Sequence, residues 1–455
     1  MRKFGILFFI LLIFILNCED TKDEKRSTKS GEHPLIELVK INAKTLIQNV
    51  DLSKEVSDNE ILDLLWGGNG IVKTVKTKDK KTIETFSHPV NFTNLIDLYY
   101  INKNGLYYYN YKKNKLKILK NGDLIKKLNL SKKLNYRANS YIILSLNPDI
   151  KKFHSGIDRL KGRVKKGLLE KVKSNYELEE IRKSAIIEAG TAVKNIMLLA
   201  TSHNFVHFPV NVQNNSKTLI KAIGIKKTPS EIFMIIPIGE KKDGAEKSSA
   251  GDFVKKLIKN CKNSNKKDFN LQNGVDPKIM YSILWFANGL IKNKDTKISA
   301  HLGLPESLIQ IYYITNKQVQ KYDPFTNSLM TIKFGDFRAE LSSAARKYKA
   351  KDNLIIAINI SNKISNNGKL SDLKSIDHKK AINNYSKIAK SSLINDLAMF
   401  QVGLALQSIR LMITDFNLAY QHIDIQPKDR EKMAKILSFR KGDIPVFIIP
   451  IGNKK

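Results

Sequence analysis

The sequence is poor in cysteine, tryptophan and acidic residues. Its 455 residues include two cysteines and two tryptophans, and 43 Asp and Glu residues stand against 78 Lys and Arg residues. The formal net charge is therefore +35 at pH 7, which predicts attraction to anionic lipid headgroups or other polyanions. No disulfide framework is available, because Cys261 has no partner within the chain once Cys18 is modified.

Sequence signatures of several common functions are also missing. The lysines are spread along the whole chain without a zinc-finger, RNP or helix-turn-helix pattern, so we expect a solvated lysine surface and no nucleic-acid binding. No Ser-His-Asp, CxxC or phosphate-loop pattern is present. His88, His203 and His207 have no other ligand types at a spacing that suggests a metal. We therefore expect no metal site, and the sequence names no catalytic residue.

The N-terminus has the layout of a signal peptide. Arg2 and Lys3 precede an apolar run of 13 residues, 4–16, and Cys18 follows shortly after it. This run is shorter than the roughly 20 residues that a permanent transmembrane helix requires. The string Phe-Ile-Leu-Asn-Cys at 14–18 resembles a relaxed lipobox, which implies lipidation of Cys18 and removal of residues 1–17. An uncleaved anchor and a plain secretory signal are the alternatives, and both also place the chain outside the cytoplasm.

A polar segment separates this N-terminus from the rest of the chain. Residues 19–31 contain no apolar side chain to bury, so we expect the lipidated cysteine and a flexible tether over 18–31. The sequence thus predicts a lipid-anchored protein of the cell envelope that faces the periplasm or the cell surface. The predicted partner is a membrane, contacted through the anchor and the basic surface.

The remaining chain contains two similar halves. The segment Ile-Ile-Pro-Ile-Gly at 235–239 recurs unchanged at 448–452, 213 residues later. Nearer the start of each half the spacing is 219 residues, and at that spacing Trp66 matches Trp285. One gap of six residues reconciles the two spacings. The order and constant spacing of such matches predict two copies of one domain.

Each half repeats the same order of patterns. An amphipathic helix comes first, then a helix that contains the tryptophan and stops at Asn-Gly, then strand-like runs, a long apolar helix and the Ile-Ile-Pro-Ile-Gly strand. This mixture predicts an α+β fold. The long helices, at about 186–201 and 397–414, are apolar nearly all round, which predicts burial on most sides. We predict a signal peptide over 1–17, the tether over 18–31, a first domain over 32–242, a linker over 243–251 and a second domain over 252–455.

Short motifs in this order resemble a known family. They are Leu-Leu-Trp at 64–66 with Asn-Gly at 69–70, Gly-Leu-Tyr-Tyr-Tyr-Asn at 105–110, the helix over 190–195 and Pro-Ile-Gly at 237–239, with counterparts in the second half. Together they look like the landmarks of the nitroreductase superfamily, and the nearest branch is the SagB/ThcOx type of FMN-dependent dehydrogenase. The resemblance implies an antiparallel-rich sheet flanked by helices, in a dimer that holds FMN at the subunit interface. For a tandem chain it implies two nitroreductase-like domains in an intramolecular pseudo-dimer.

The resemblance also implies residues for the flavin. The family holds the FMN phosphate with an early Arg-Arg-Ser-x-Arg-like motif, and Lys40, Asn42 and Lys44 stand near that position. Lysine can bind phosphate as a point charge, but without the bidentate fork of arginine. The polar asparagine of the family's long helix is kept as Asn195, whereas the Pro-Ser-Ala-Gly-like loop is not recognisable at 88–91. Landmarks of packing have persisted, and landmarks of the cofactor have decayed.

Two functions remain open at this point. The first is an FMN-dependent oxidoreductase, in which the flavin does the hydride chemistry and Lys40, Asn42, Lys44 and Asn195 bind it. The second is a cofactor-free descendant that keeps the scaffold as an envelope binding or structural protein. An exported domain meets little NAD(P)H, which counts against ordinary turnover, and the fold alone does not decide function.

Overall fold

A computed structural model gives the three-dimensional structure of the chain. It describes residues 33–44, 50–76, 82–87, 94–128, 138–147, 175–212, 216–223, 231–242, 250–270, 272–293, 296–299, 307–359, 392–440 and 442–455. The predicted signal peptide, Cys18 and the tether lie outside the described residues. So does most of the predicted linker, whose last two residues already belong to a helix that begins at Ala250.

The first unit follows the predicted order of helices and strands. Its elements are α1 (Pro34–Lys44), α2 (Asp58–Asn69), β1 (Ile71–Lys76), β2 (Thr82–Phe86), β3 (Ile96–Asn102), β4 (Gly105–Asn110), β5 (Lys115–Asn121), α3 (Leu124–Leu128), β6 (Ser140–Leu146), α4 (Asn175–Ser202), β7 (Phe205–His207), β8 (Val210–Asn211), α5 (Ser216–Ile223) and β9 (Glu231–Glu240).

The second unit repeats this order. Its elements are α6 (Ala250–Asn260), α7 (Pro277–Asn288), β10 (Leu290–Asn293), β11 (Thr296–Ser299), β12 (Ile309–Ile314), β13 (Gln318–Asp323), β14 (Ser328–Phe334), α8 (Ser343–Arg346), β15 (Asp352–Asn359), α9 (Ser392–Asp415), β16 (Leu418–Tyr420), β17 (Ile423–Asp424), α10 (Pro427–Ile436) and β18 (Asp443–Asn453).

Each unit is built on a seven-stranded antiparallel sheet, and the two sheets have the same strand order. In the first sheet the order is β5-β4-β3-β6-β9-β7, with β8 also paired to β9. In the second it is β14-β13-β12-β15-β18-β16, with β17 also paired to β18. The Ile-Ile-Pro-Ile-Gly segments lie in β9 and β18, which pair with several strands in each sheet. The predicted α+β fold of two similar domains is confirmed.

The β-hairpins of the two units also turn in the same way. Asn114 and Asn327 have φ values of 48° and 52°, a left-handed conformation that asparagine tolerates better than most side chains. Each asparagine accepts a hydrogen bond through Oδ1 from a tyrosine hydroxyl, at 2.7 Å from Tyr109 and 2.8 Å from Tyr322. The same local chemistry thus sets the hairpin register in both halves.

The tryptophan helices begin and end at residues that satisfy their terminal backbone groups. At the start of α2, the Ser57 hydroxyl accepts from the amide of Glu60 and the Glu60 carboxylate accepts from the amide of Ser57, at 3.4 and 3.3 Å. At the start of α7, Asp276 accepts from the amide of Lys278 at 2.7 Å. Both helices stop at the predicted Asn-Gly, where the glycine N–H donates to the carbonyl of the tryptophan.

The hydrophobic core is shared between the units. The inner face of each sheet packs against the long helices α4 and α9, and the apolar residues of both units form one continuous cluster around these helices. The outer face of the first sheet is covered by α3 and α5, and that of the second by α8 and α10. A common core is what an intramolecular pseudo-dimer requires, so the two units are held together by burial of apolar surface.

The two long helices approach each other most closely at glycine. A Cβ atom placed on Gly190 would lie 2.9 Å from the Cα of Gly403 and would overlap the carbonyl oxygen of Phe400. A Cβ atom on Gly403 would lie 3.0 Å from the Cα of Gly190 and would overlap the carbonyl oxygen of Ile187. The matching glycines of the sequence repeat are therefore the point where backbone meets backbone.

An ion-pair cluster joins the units beside this crossing. Arg182 of α4 donates from both Nη atoms to the carboxylate of Asp396 in α9, each at 2.7 Å. The same guanidinium donates from Nε and Nη2 to Glu231 at the start of β9, each at 3.1 Å. Burial by itself would lower the pKa of Arg182, but the two carboxylates raise it above its usual value. Arg182 thus stays charged and links α4, α9 and the first sheet.

Helix α9 is apolar because it lies in the interior. The stretch Asn395–Asp415 is long and apolar enough to cross a membrane, yet 89% of its most apolar 18-residue window is buried inside the protein. A core helix of a two-domain protein passes the same test, and the shared core accounts for this composition.

Candidate functional site

Lys40, the first of the predicted flavin residues, lies against the other unit. Its Nζ is 5.8 Å from the centroid of the Trp285 ring. The same arrangement occurs on the opposite side, where Nζ of Lys259 is 5.5 Å from the ring of Trp66. Each cation–π contact contributes about 0.5–1 kcal/mol at a partly exposed site. The N-terminal helix of each unit thus packs on the tryptophan helix of the other, so Lys40 stands at the unit–unit interface, where the resemblance expects the flavin.

The other two residues of that motif are better understood through the second unit. Asn42 and Lys44 lie in the last turn of α1, and their side chains are outside the described part. Their counterparts at the 219-residue spacing are Cys261 and Asn263. Cys261 is buried, and Oδ1 of Asn263 is 2.9 Å from Nδ1 of His422. In the second unit these positions therefore make internal contacts.

Asn195, the fourth predicted residue, is fully buried with its amide engaged inside the protein. Its Nδ2 donates to the carbonyl oxygens of Gly67 at 2.9 Å and Ser87 at 3.0 Å. Its Oδ1 accepts from Nε2 of Gln407, in the second unit, at 2.9 Å. A side-chain amide has two N–H donors, and both are used. Asn195 therefore ties the end of α2 to the segment that follows β2.

A buried polar network that the sequence motifs did not reveal continues from Gln407. Arg410 donates from Nη1 to Oε1 of Gln407 at 2.9 Å, from Nη2 to the carbonyl of Cys261 at 3.3 Å, and from Nε to the hydroxyl of Tyr420 at 3.3 Å. That hydroxyl is 3.3 Å from Sγ of Cys261. Burial by itself would lower the pKa of Arg410, but Cys261 and Tyr420 raise it above its usual value. The guanidinium is thus a permanent buried charge.

Lys194 is a second buried cation that the motifs missed. Its side chain is 1% exposed, and its Nζ lies 4.5 Å from the centroid of the Phe286 ring in the second unit. Within the described ranges, no group accepts a hydrogen bond from it. Burial lowers the pKa of Lys194 to about 7. A lysine inside helix α4 and an arginine inside helix α9 were the available sequence signal, because charges are rarely buried in an apolar helix without a reason.

These contacts decide how well the site fits the cofactor that the resemblance implies. Asn195 has no donor left for a flavin, and Gln407 and Arg410 are engaged with one another. Lys40 faces a tryptophan ring at the interface and offers a phosphate a point charge, without the fork of an arginine. On the side of the interface that Asn195 lines, the described residues therefore do not fit FMN. In the same described ranges, no group of three His, Cys, Asp or Glu side chains is placed to hold a metal ion.

Solved structures confirm the fold. A putative nitroreductase from Anabaena variabilis covers 89% of this chain and 92% of its own, with a TM-score of 0.60 and 12% identity. A putative nitroreductase from Ralstonia eutropha covers 44% of this chain and 81% of its own, at a TM-score of 0.31 and 16% identity. The E. coli microcin synthetase complex covers 52% and 81%, at 0.30 and 12%. No family model and no curated protein matches the sequence.

The chain therefore has the nitroreductase fold, arranged as two units in one polypeptide. This conclusion rests on the two sheets of identical strand order and on the first of these likenesses. The other two likenesses have TM-scores too low to carry an argument.

Proposed function

We propose that this chain is a lipid-anchored protein of the cell envelope that descends from FMN-dependent oxidoreductases and whose flavin site has become internal packing. On this proposal it acts as a cofactor-free scaffold or binding protein. The observation that carries the proposal is the amide of Asn195, which spends both donors on the carbonyls of Gly67 and Ser87 and its acceptor on Gln407. A flavin that used Asn195 would leave these buried backbone groups without partners, at a cost of about 1–3 kcal/mol each.

A retained FMN-dependent oxidoreductase is the second candidate. It is favoured by Lys40 and Lys194, two lysines from the first unit that lie on aromatic rings of the second unit at 5.8 and 4.5 Å. Bound FMN would supply the hydride chemistry of such an enzyme. Lys40 would then attract the phosphate, and the unit–unit interface would exclude water.

The two candidates differ in whether the purified protein binds flavin. We expect the chain from residue 19 onward, which retains every described element, to show no visible flavin absorbance. Because the amide of Asn195 is engaged, we also expect added FMN to leave the melting temperature unchanged. Absorbance spectroscopy and a thermal-shift titration measure both quantities.

Lys40→Gln is the matched variant for this experiment. If FMN raises the melting temperature of the wild-type chain and this variant loses the effect, the flavoenzyme is correct and the cofactor-free proposal fails. An identical small response in both proteins indicates only general attraction of an anion to a basic surface.

The anchor is tested separately at Cys18. We expect Cys18→Ala in the full-length chain, expressed in a bacterium, to abolish incorporation of labelled fatty acid and to move the protein from the detergent phase to the aqueous phase. The reason is that two acyl chains are needed for stable membrane binding, and Cys18 is the thiol at the processing position. Cys261→Ala, which alters a buried thiol, is the control and should keep its lipid. Lipid on the Cys18 variant would remove the anchor from the proposal.

A further inference from the structure

The two long helices carry different residues at one pair of equivalent positions. The 213-residue spacing relates Lys194 to Gln407 and Asn195 to Ser408. Gly190 and Gly403 are related by the same spacing and meet at the crossing, so each of these pairs lies one turn beyond it, on opposite sides. The two sides of the interface can therefore be compared residue by residue.

On one side the hydrogen-bond network is complete. Gln407 reaches across the crossing and donates to Asn195 at 2.9 Å, and Asn195 donates in turn to Gly67 and Ser87. Oε1 of Gln407 accepts from Arg410 at 2.9 Å. Each polar atom of the two side-chain amides has a partner inside the protein.

On the other side the same network is broken. Ser408 donates to the carbonyl of Leu404 in its own helix, at 2.9 Å, and is too short to bridge to α7 as Asn195 bridges to α2. Lys194 stands where a glutamine would reach for that missing amide. Its ammonium lies over Phe286, the counterpart of Gly67 at the 219-residue spacing. An ammonium has three N–H donors, and an aromatic ring satisfies one face of it.

Nearby buried carboxylates do not balance this charge. Glu188, on the same helix, accepts from the amide of Leu95 at 2.8 Å, and Asp396 is bound by Arg182. In the part of the chain that the structure describes, Lys194 forms no ion pair. A buried polar group without a partner in a native protein calls for an explanation, and an ion or ligand is one of the few available.

We propose that the ammonium of Lys194 anchors a binding site for a small oxyanion, a phosphate or carboxylate group, at the contact between α4 of the first unit and α7 of the second. The oxyanion accepts the N–H donors that point away from Phe286 and replaces the amide that Ser408 does not provide. Because the lysine is 1% exposed, the site takes a small group and not a large surface. This inference goes beyond the proposed function and depends neither on the lipid anchor nor on FMN.

The test measures melting temperatures in inorganic phosphate or acetate against chloride at equal ionic strength. It is run at about pH 6, below the pKa of about 7 that burial gives Lys194. We expect saturating phosphate or acetate to raise the melting temperature of the wild-type chain by about 3 °C more than that of Lys194→Gln. Lys113→Gln, which removes an exposed lysine, is the control and should respond as the wild type does.

A second variant guards against loss of folding in Lys194→Gln. The pair Lys194→Gln with Ser408→Asn rebuilds on this side the glutamine–asparagine network that exists on the other. We expect the double variant to fold, to melt above the wild type in chloride, and to be insensitive to phosphate and acetate. Retention of the anion response by this folded variant overturns the proposal.

Other outcomes also decide the question. Equal responses of the wild type and Lys194→Gln mean that the anions act on the whole basic surface, and the site does not exist. Stabilisation by riboflavin, which has no phosphate, without any response to phosphate or acetate means that the lysine faces a flavin ring, and the oxyanion proposal fails. A high-resolution crystal structure grown in phosphate that shows an ordered water only beside Nζ also overturns it.

Discussion

Replacing Gly403 with alanine is expected to destabilise the protein by about 3 kcal/mol, the upper part of the range for overpacked cores. In an exposed helix interior the same substitution stabilises by about 1 kcal/mol, because alanine has the higher helix propensity. At the crossing a Cβ atom would overlap the carbonyl oxygen of Ile187 and lie 3.0 Å from the Cα of Gly190. Both are backbone atoms, so no side chain can rotate away and the helices must separate.

Urea-induced unfolding measures this effect. Gly190→Ala should behave like Gly403→Ala, because its Cβ meets the carbonyl of Phe400 on the other helix. Gly251→Ala in α6 is the control, since a Cβ there would make an ordinary contact with Ser202 at 3.4 Å and should leave stability nearly unchanged. Crossing variants as stable as the Gly251 variant would contradict the close approach of α4 and α9.

Replacing Arg182 with methionine is expected to lower the free energy of unfolding by about 3 kcal/mol. The guanidinium makes two bonds of 2.7 Å to Asp396, whose side chain is 6% exposed. Methionine fills much of the same volume but leaves that carboxylate buried without its counter-charge. The cost arises from the stranded charge and exceeds the worth of the intact pair, because removing both charges avoids the same desolvation.

Two further variants isolate that cause. Arg182→Met combined with Asp396→Leu should recover most of the lost stability, since the stranded carboxylate is gone. Lys435→Met removes an exposed partner of Glu431, at 2.9 Å and with both side chains at least 75% exposed, and should cost less than about 0.5 kcal/mol. Equal losses in Arg182→Met and Lys435→Met would show that Asp396 is solvated in the native protein.

Much of the fold could be predicted from local patterns in the sequence. The runs of aromatic and β-branched residues at 95–101 and 309–314 became β3 and β12, and the Asn-Gly pairs ended both tryptophan helices as expected. The long apolar runs became α4 and α9 at the centre of the shared core. These signals are local, since side-chain periodicity and helix-stop residues act within a few positions along the chain.

The candidate site was less predictable because its chemistry depends on partners far away in sequence. Asn195 was found through the family resemblance, but its bond to Gln407 joins residues 212 positions apart. Lys194 lies at an ordinary position of an apolar helix, and only the packing of α4 against α7 shows that its ammonium is buried over Phe286. The loss of the second asparagine, at Ser408, matters only because the two units face each other.

The sequence by itself determined that the chain contains two similar α+β units with long apolar helices, because repeats, periodicity and helix-stop residues are properties of neighbouring positions. Only the tertiary structure decided how those units meet. Backbone contact at Gly190 and Gly403 brings two inequivalent polar sets together, and the result is one satisfied network and one buried ammonium over an aromatic ring. Burial and hydrogen-bond partners are properties of space, so the chemistry of this interface became visible only when the helices were placed against each other.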